Sequence, residues 1–77
     1  MPYSSGAIIR ALESRGFEQS KGTGHKGTHR TWFRRREGAP SQTVTVVLGQ
    51  REIPMGTIRS YARQLGVSVD ELLSWLS

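Results

Sequence analysis

The sequence predicts an α+β domain with the element order α-β-β-β-α-α. Near both ends of the chain, apolar residues recur at the spacing of an amphipathic helix. Between them, residues 17–48 contain short runs rich in threonine, valine and aromatic residues, and turn residues separate these runs. Because 77 residues supply only one modest core, we expect a single domain over residues 1–77.

The N-terminal half predicts one helix and two strands. Ser4 or Ser5 can cap the first helix, and Gly16 is expected to end it. Residues 17–21 are expected to form a short strand, and a glycine-rich turn follows it. The next strand is predicted over residues 29–36. The apolar stripe of the first helix comprises Ile8, Ile9 and Leu12.

The C-terminal half begins with the clearest strand of the chain. Residues 37–42 are expected to form a turn, and the β-branched run over residues 43–48 is expected to form the strand. Pro54 and Gly56 are expected to interrupt the chain before a helix that begins at Thr57.

Residues 58–76 predict two helices joined by a turn at Gly66, with Ser68 opening a capping box for the second. This spacing also occurs in the helix-turn-helix, whose second helix enters the DNA major groove. The last helix here has two acidic residues and no Lys or Arg, so it would repel DNA phosphates. Gly66 as a cap, with Leu72 and Trp75 in the core, explains the same pattern, and we favour this packing motif.

The chain is basic, and its basic residues are concentrated in the middle. It has 11 Lys/Arg against 6 Asp/Glu, a net charge of +5, which favours a nucleic-acid or acidic protein partner. Residues 21–36 hold six of the Lys/Arg and no acidic residue, whereas residues 68–77 hold two acidic residues and no basic one. Residues 21–36, which we call the basic segment, are therefore the predicted site for a polyanion.

The composition argues against several other classes of protein. The chain has no cysteine, which rules out disulfides and cysteine zinc sites and fits a reducing cytoplasm. No apolar run approaches the ~20 residues of a membrane helix. The N-terminus lacks the basic start and apolar stretch of a signal peptide. We therefore expect a cytoplasmic protein with no membrane partner.

Residues 22–27 match the pattern Gly-x-Gly-x-x-Gly of dinucleotide-binding folds. In those folds the glycines lie between a strand and a helix. Here strand-forming residues follow the glycines, and the chain is too short for such a fold. We interpret the glycines as a hairpin loop, or as a loop whose backbone contacts phosphate.

The basic segment contains both histidines, His25 and His29. No third ligand is close in sequence, so we expect no metal site. His29 lies where the glycine loop meets the predicted strand, so the sheet would hold its ring beside phosphate-binding groups. In RNA cleavage such a histidine can take a proton from a 2′-hydroxyl or protonate the leaving 5′-oxygen. His25 is expected to be solvated.

The strand over residues 29–36 divides its basic and aromatic side chains between two faces. One face carries Arg30, Trp32, Arg34 and Arg36, and the other carries His29, Thr31, Phe33 and Arg35. One face must contact the helices, and we predict that Phe33 lies in the core while Trp32 is an exposed platform for base stacking. Arg59 and Arg63, on the polar side of the penultimate helix, either extend the phosphate-binding surface or are simply solvated.

Together these patterns resemble the HicA toxins of bacterial HicAB toxin–antitoxin systems. The resemblance is carried by Gly16-Phe17, Lys26-Gly27-Thr28-His29, Gly56-Thr57-Ile58-Arg59-Ser60 and Gly66 to Leu72. It implies a double-stranded-RNA-binding-domain-like fold, with a three-stranded antiparallel sheet and helices on one face. It also implies ribosome-independent cleavage of mRNA, catalysis by the histidine of the Gly-Thr-His step, and neutralisation by a HicB antitoxin. In this chain that histidine is His29.

The sequence departs from the family pattern at two places. The separation between Phe17 and His29 is longer than usual because of the insertion over residues 22–27, and Arg30 stands where many members have a second histidine. These departures leave His25 as a second candidate for proton transfer.

We therefore predict a toxin that is a metal-independent endoribonuclease, with His29 as general acid or base and no cofactor. Its expected partners are mRNA and a HicB-like antitoxin. Two alternatives remain: a non-catalytic RNA-binding domain of the same fold, which needs only phosphate and 2′-hydroxyl contacts, and a helix-turn-helix DNA-binding regulator. The residues expected to bind RNA are Lys26, Gly27, Thr28, Arg30, Trp32, Arg34, Arg36, Arg59 and Arg63.

Overall fold

Helices and strands follow one another in the predicted order α-β-β-β-α-α in the computed structural model, which describes residues 3–21 and 28–77. The elements are α1 (Ser5–Ser14), β1 (Glu18–Gln19), β2 (His29–Arg36), β3 (Ala39–Val47), α2 (Met55–Leu65) and α3 (Val69–Leu76). The strands form one antiparallel sheet in the order β1-β2-β3. The fold is therefore α+β, as predicted. No helix in these two ranges is long and apolar enough to cross a membrane.

The predicted starts of α1 and α3 and the predicted ends of α1 and α2 are confirmed. The Ser4 side chain caps α1 and accepts a backbone hydrogen bond from its first turn at 3.1 Å. Gly16, just beyond α1, has a φ of 90°, and Gly66 ends α2 with a φ of 73°. The Ser68 side chain accepts a hydrogen bond from the Glu71 N–H at 3.0 Å and so starts α3.

Three elements differ from their predicted bounds. β1 spans only Glu18–Gln19, whereas residues 17–21 were expected. β3 begins at Ala39, so the turn comprises only residues 37–38, and its glycine has a φ of 72°. Pro40 lies within β3 where the β2–β3 register is irregular, a position at which a strand tolerates proline. α2 begins at Met55, so Gly56 lies in its first turn and does not interrupt the chain.

The helices pack against one face of the sheet, where the core forms. The opposite face, which no described helix covers, is called the open face here. The core contains Ile8, Leu12, Phe17, Trp32, Val44, Val46, Ile53, Ile58, Tyr61, Ala62, Leu65 and Leu72. By strand alternation and cross-strand pairing, the open face carries Glu18, His29, Thr31, Phe33, Arg35, Thr43, Thr45 and Val47.

Side chains of α1 and α2 bind the outer edge of β3. The Thr45 N–H donates to Gln64 Oε1 at 2.9 Å, and the Val47 N–H donates to Tyr61 Oη at 2.9 Å. The Val47 carbonyl accepts a hydrogen bond from Ser5 Oγ at 2.6 Å. These three backbone groups of Thr45 and Val47 therefore have partners, and the end of β3 is fixed to both helices.

Candidate functional site

Strand β2 carries the candidate catalytic residue at its first position. His29 is exposed on the open face, and its backbone lies opposite Val47 of β3. Next to this pair, the Leu48 N–H donates to the Thr28 carbonyl at 2.6 Å. Because Tyr61 and Ser5 also bind Val47, the strand end under His29 is held from several directions while the imidazole faces solvent.

The prediction for the two aromatic residues of β2 is wrong. Trp32 is only 3% exposed and belongs to the core, with Val44 opposite it on β3. Its indole N–H donates to a Glu13 carboxylate oxygen at 3.3 Å, so α1 covers it. Phe33 is the aromatic residue on the open face, where it is partly exposed. Trp32 therefore cannot serve as a stacking platform for a base.

Arg34 has a structural environment that the sequence does not reveal. Its guanidinium lies 4.7 Å from the Phe17 ring centroid and 5.9 Å from that of Trp75. It donates to the Arg15 carbonyl at 2.9 Å and to Gln42 Oε1. Burial, followed by the charges of nearby arginines, lowers the pKa of Arg34. We therefore assign Arg34 to the packing of β2 against α1 and α3, rather than to phosphate binding.

Arg30 and Arg36 lie on the same side of β2 as Trp32 but at opposite ends of the strand. Arg30 is next to His29, and its Nη1 donates to the His29 carbonyl at 2.9 Å. Arg36 donates to the Pro40 carbonyl at 3.1 and 3.2 Å, beside the β2–β3 turn. Seven residues of strand, about 23 Å, separate Arg36 from His29. Of the two, only Arg30 is adjacent to His29, and its side chain leaves β2 on the face opposite to the imidazole.

Arg59 and Arg63 are exposed on α2, on the side away from its buried residues. The Gln64 and Tyr61 side chains of α2 contact the outer edge of β3, so β3 lies between this helix and β2. The two arginines are therefore exposed beyond β3 and do not lie next to His29.

The remaining predicted residues are close to His29 in sequence. Lys26, Gly27 and His25 are outside the described residues. Thr28 is exposed, and its carbonyl accepts the hydrogen bond from the Leu48 N–H next to the first residue pair of β2 and β3. Among residues 3–21 and 28–77, no three His, Asp or Glu side chains come together in a way that could hold a metal ion.

The sequence reasoning missed three residues near His29. Thr45 lies on the open face with its hydroxyl oxygen 3.2 Å from that of Thr31. Tyr61 and Ser5 act from the core side by binding the backbone opposite His29. Alternation within residues 43–47 could have placed Thr45 beside Thr31, but the two helix side chains depend on long-range packing.

Comparison with known protein families gives a match that covers most of the chain. A family model described as "HicA toxin of bacterial toxin-antitoxin" matches residues 7–67. The matched range runs from α1 through the sheet and α2, and it includes His29 and both α2 arginines. No curated protein gives a significant match.

Proposed function

Because the chain belongs to the HicA toxin family of bacterial toxin–antitoxin systems, we propose that it is a metal-independent endoribonuclease that cleaves mRNA. The observation that carries the proposal is the geometry of His29, an exposed imidazole at the start of β2 on a backbone held by cross-strand pairing. An imidazole placed in this way can take a proton from a ribose 2′-hydroxyl or protonate a leaving 5′-oxygen of bound RNA.

In the proposed reaction, a base takes the proton of a ribose 2′-hydroxyl, and the 2′-oxygen forms a bond to the adjacent phosphorus. The bond between phosphorus and the 5′-oxygen breaks, and an acid protonates this oxygen. The products are a 2′,3′-cyclic phosphate and a 5′-hydroxyl. His29 is the base or the acid, and the reaction requires neither a metal nor a protein nucleophile.

The cations around His29 supply the electrostatic part of the proposal. Lys26, Gly27, Thr28 and Arg30 surround it in sequence and are the proposed phosphate ligands at the scissile bond. Arg59 and Arg63 extend the phosphate-binding surface beyond β3. Trp32 and Arg34 are left out because both serve the packing of the core face.

Expression of the chain and its variants in a bacterium tests the catalytic assignment. The wild-type chain is expected to arrest growth and fragment mRNA, and His29→Ala is expected to relieve both effects. With purified protein, we expect His29→Ala to slow RNA cleavage by roughly 10²–10⁴-fold, the usual contribution of a positioned acid or base. The wild-type rate is expected to persist in a metal chelator.

His25→Ala is the matched control, because it removes the other histidine of the basic segment. We expect this variant to remain toxic. If His25→Ala relieves toxicity and His29→Ala does not, the catalytic assignment moves to His25. Equal toxicity of the wild type and His29→Ala without mRNA fragments would indicate the alternative function, a non-catalytic RNA-binding domain.

Family membership implies an antitoxin partner. We infer that this antitoxin is a HicB-like protein that presents acidic or phosphate-like groups to the basic segment and covers His29. The charge distribution supports this inference, because residues 21–36 carry six basic and no acidic residues.

A further inference from the structure

We propose that single-stranded RNA lies across the open face of the sheet, with one base stacked on Phe33 and the scissile phosphodiester at His29. This proposal rests on the proposed ribonuclease function. It extends that function from one catalytic residue to a substrate-binding surface, and it specifies that the substrate is unpaired.

His29 and Phe33 lie on the same face of β2, four residues apart. At the rise of a β-strand this separation is about 13 Å. Between them is Thr31, whose hydroxyl oxygen is 3.2 Å from that of Thr45 on the neighbouring strand. An RNA segment that connects the two positions passes over both hydroxyls, which can donate to or accept from ribose and phosphate oxygens.

Phe33 is placed to stack against a base. It is partly exposed, and within the described residues it belongs neither to the core nor to the apolar side chains packed against the core. Its partners on the adjacent strands are Glu18 and Thr43, both polar and exposed. Stacking of unpaired bases on aromatic side chains of a sheet is a common mode of single-stranded RNA recognition.

The chemistry of the open face favours unpaired RNA over an RNA duplex or a protein. Bases in a duplex are already stacked on one another and are not free to stack on Phe33. The centre of a protein interface is usually apolar, whereas Phe33 is surrounded here by threonines and charged side chains. Arg35 adds a positive charge two residues after Phe33 on the same face. Glu18 places a carboxylate opposite Phe33.

The test measures binding of a short fluorescent single-stranded RNA by anisotropy, with the His29→Ala protein as the parent so that the RNA stays intact. Adding Phe33→Leu is expected to weaken binding by about 5- to 150-fold, because base stacking on an aromatic ring contributes about 1–3 kcal/mol. Adding Phe33→Tyr is expected to preserve affinity, because the ring face remains. Duplex RNA of the same length is expected to bind with an affinity independent of Phe33.

Two further variants of the same parent act as controls. Met55→Ala removes a side chain that is 47% exposed on α2, away from the open face, and is expected to leave affinity unchanged. Glu18→Gln removes the carboxylate opposite Phe33 and is expected to tighten RNA binding at low salt. The Glu18 result tests the proposal without altering an apolar side chain, so it remains informative if Phe33→Leu fails to fold.

Unchanged affinity in either Phe33→Leu or Glu18→Gln would overturn the proposal, as would duplex RNA that competes as well as the single strand. Phe33→Leu that weakens antitoxin binding but not RNA binding would assign the open face to the protein partner instead. These outcomes concern binding and leave the catalytic assignment untouched. Cleavage that survives His29→Ala would overturn that assignment without affecting the binding surface.

Discussion

At the scale of single residues, Trp32 and Phe33 show what strand alternation leaves undecided. Alternation requires these neighbours to lie on opposite faces of β2, but either assignment satisfies it. The choice is made by distant partners, because Glu13 of α1 reaches the indole N–H and Val44 of β3 lies opposite the ring. A short window of sequence does not contain such long-range contacts. The prediction therefore placed Phe33 in the core and Trp32 at the surface, the opposite of what the structure shows.

We expect Trp32→Ala to lower the free energy of unfolding by about 3–5 kcal/mol, because it empties a large buried volume. It also removes the hydrogen-bond donor to Glu13. Phe33→Ala, at the adjacent and partly exposed position, is expected to cost less. Urea-induced unfolding compares the two variants, and a greater loss in Phe33→Ala would contradict the placement of Trp32 in the core.

Arg34 shows a second limit of reasoning from residue type. An arginine in a basic segment predicts phosphate binding. The guanidinium of Arg34 instead lies over the rings of Phe17, which precedes β1, and Trp75 of α3. The charge of Glu71 raises the pKa of Arg34 and so offsets part of the depression caused by burial. One of the positive charges of the basic segment, that of Arg34, therefore contacts other groups of the protein rather than a partner.

At the scale of elements, the limits of β2 and α3 were predicted from local sequence, and the starts of β3 and α2 were not. The errors have one cause, which is that proline and glycine interrupt an element only in its interior. Pro40 lies at an irregular part of the β2–β3 register, and Gly56 lies in a first helical turn. Each residue is the second of its element, where the strand or helix can accommodate it.

Tyr61 links two elements, and its titration provides a test of that link. Burial raises the pKa of Tyr61 above its ordinary value of 10.0, and the hydrogen bond from Val47 partly offsets this effect. Below about pH 10 the phenol is protonated in both the folded and unfolded states. Above it, the unfolded chain loses this proton more readily, so the free energy of unfolding should fall as pH rises toward the pKa of the folded state.

Urea-induced unfolding between pH 8 and pH 11 (about the range that brackets a free tyrosine) measures this decline. In Tyr61→Phe the contribution of Tyr61 should be absent. The variant should also be less stable at neutral pH, because the Val47 N–H loses its partner at the edge of β3. An alkaline decline of the same size in Tyr61→Phe would show that other groups cause it.

At the scale of the whole molecule, the sequence predicted the fold class, the element order and the position of His29 at the start of a strand. It did not predict which face of the sheet the helices cover, and the face determines which residues can share a substrate with His29. The structure separates the basic segment into two parts. His29 is open to solvent, whereas Arg34 and Arg36 near the C-terminal end of the segment contact the protein itself.

This division predicts where the antitoxin binds. Hydrogen exchange of the toxin–antitoxin complex should show protection, relative to the free toxin, at the start of β2 and in the loop before it. The acidic α3, with Asp70 and Glu71 in its first turn, should exchange at the same rate in both states because its charge does not complement an acidic partner. Protection at α3 without protection around His29 would contradict the inferred mode of neutralisation.

The contacts of α2 with β3 also restrict how any partner can recognise this protein. Many proteins bind an extended peptide by strand addition, in which the peptide pairs with a free sheet edge. At β3 such a peptide would first have to displace Gln64 from Thr45 and Tyr61 from Val47. At the other edge β1 provides only two residues of strand. Recognition at this end of β3 must therefore depend chiefly on side chains, so a partner there has to match the particular chemistry of the surface rather than a backbone pattern common to all sheets.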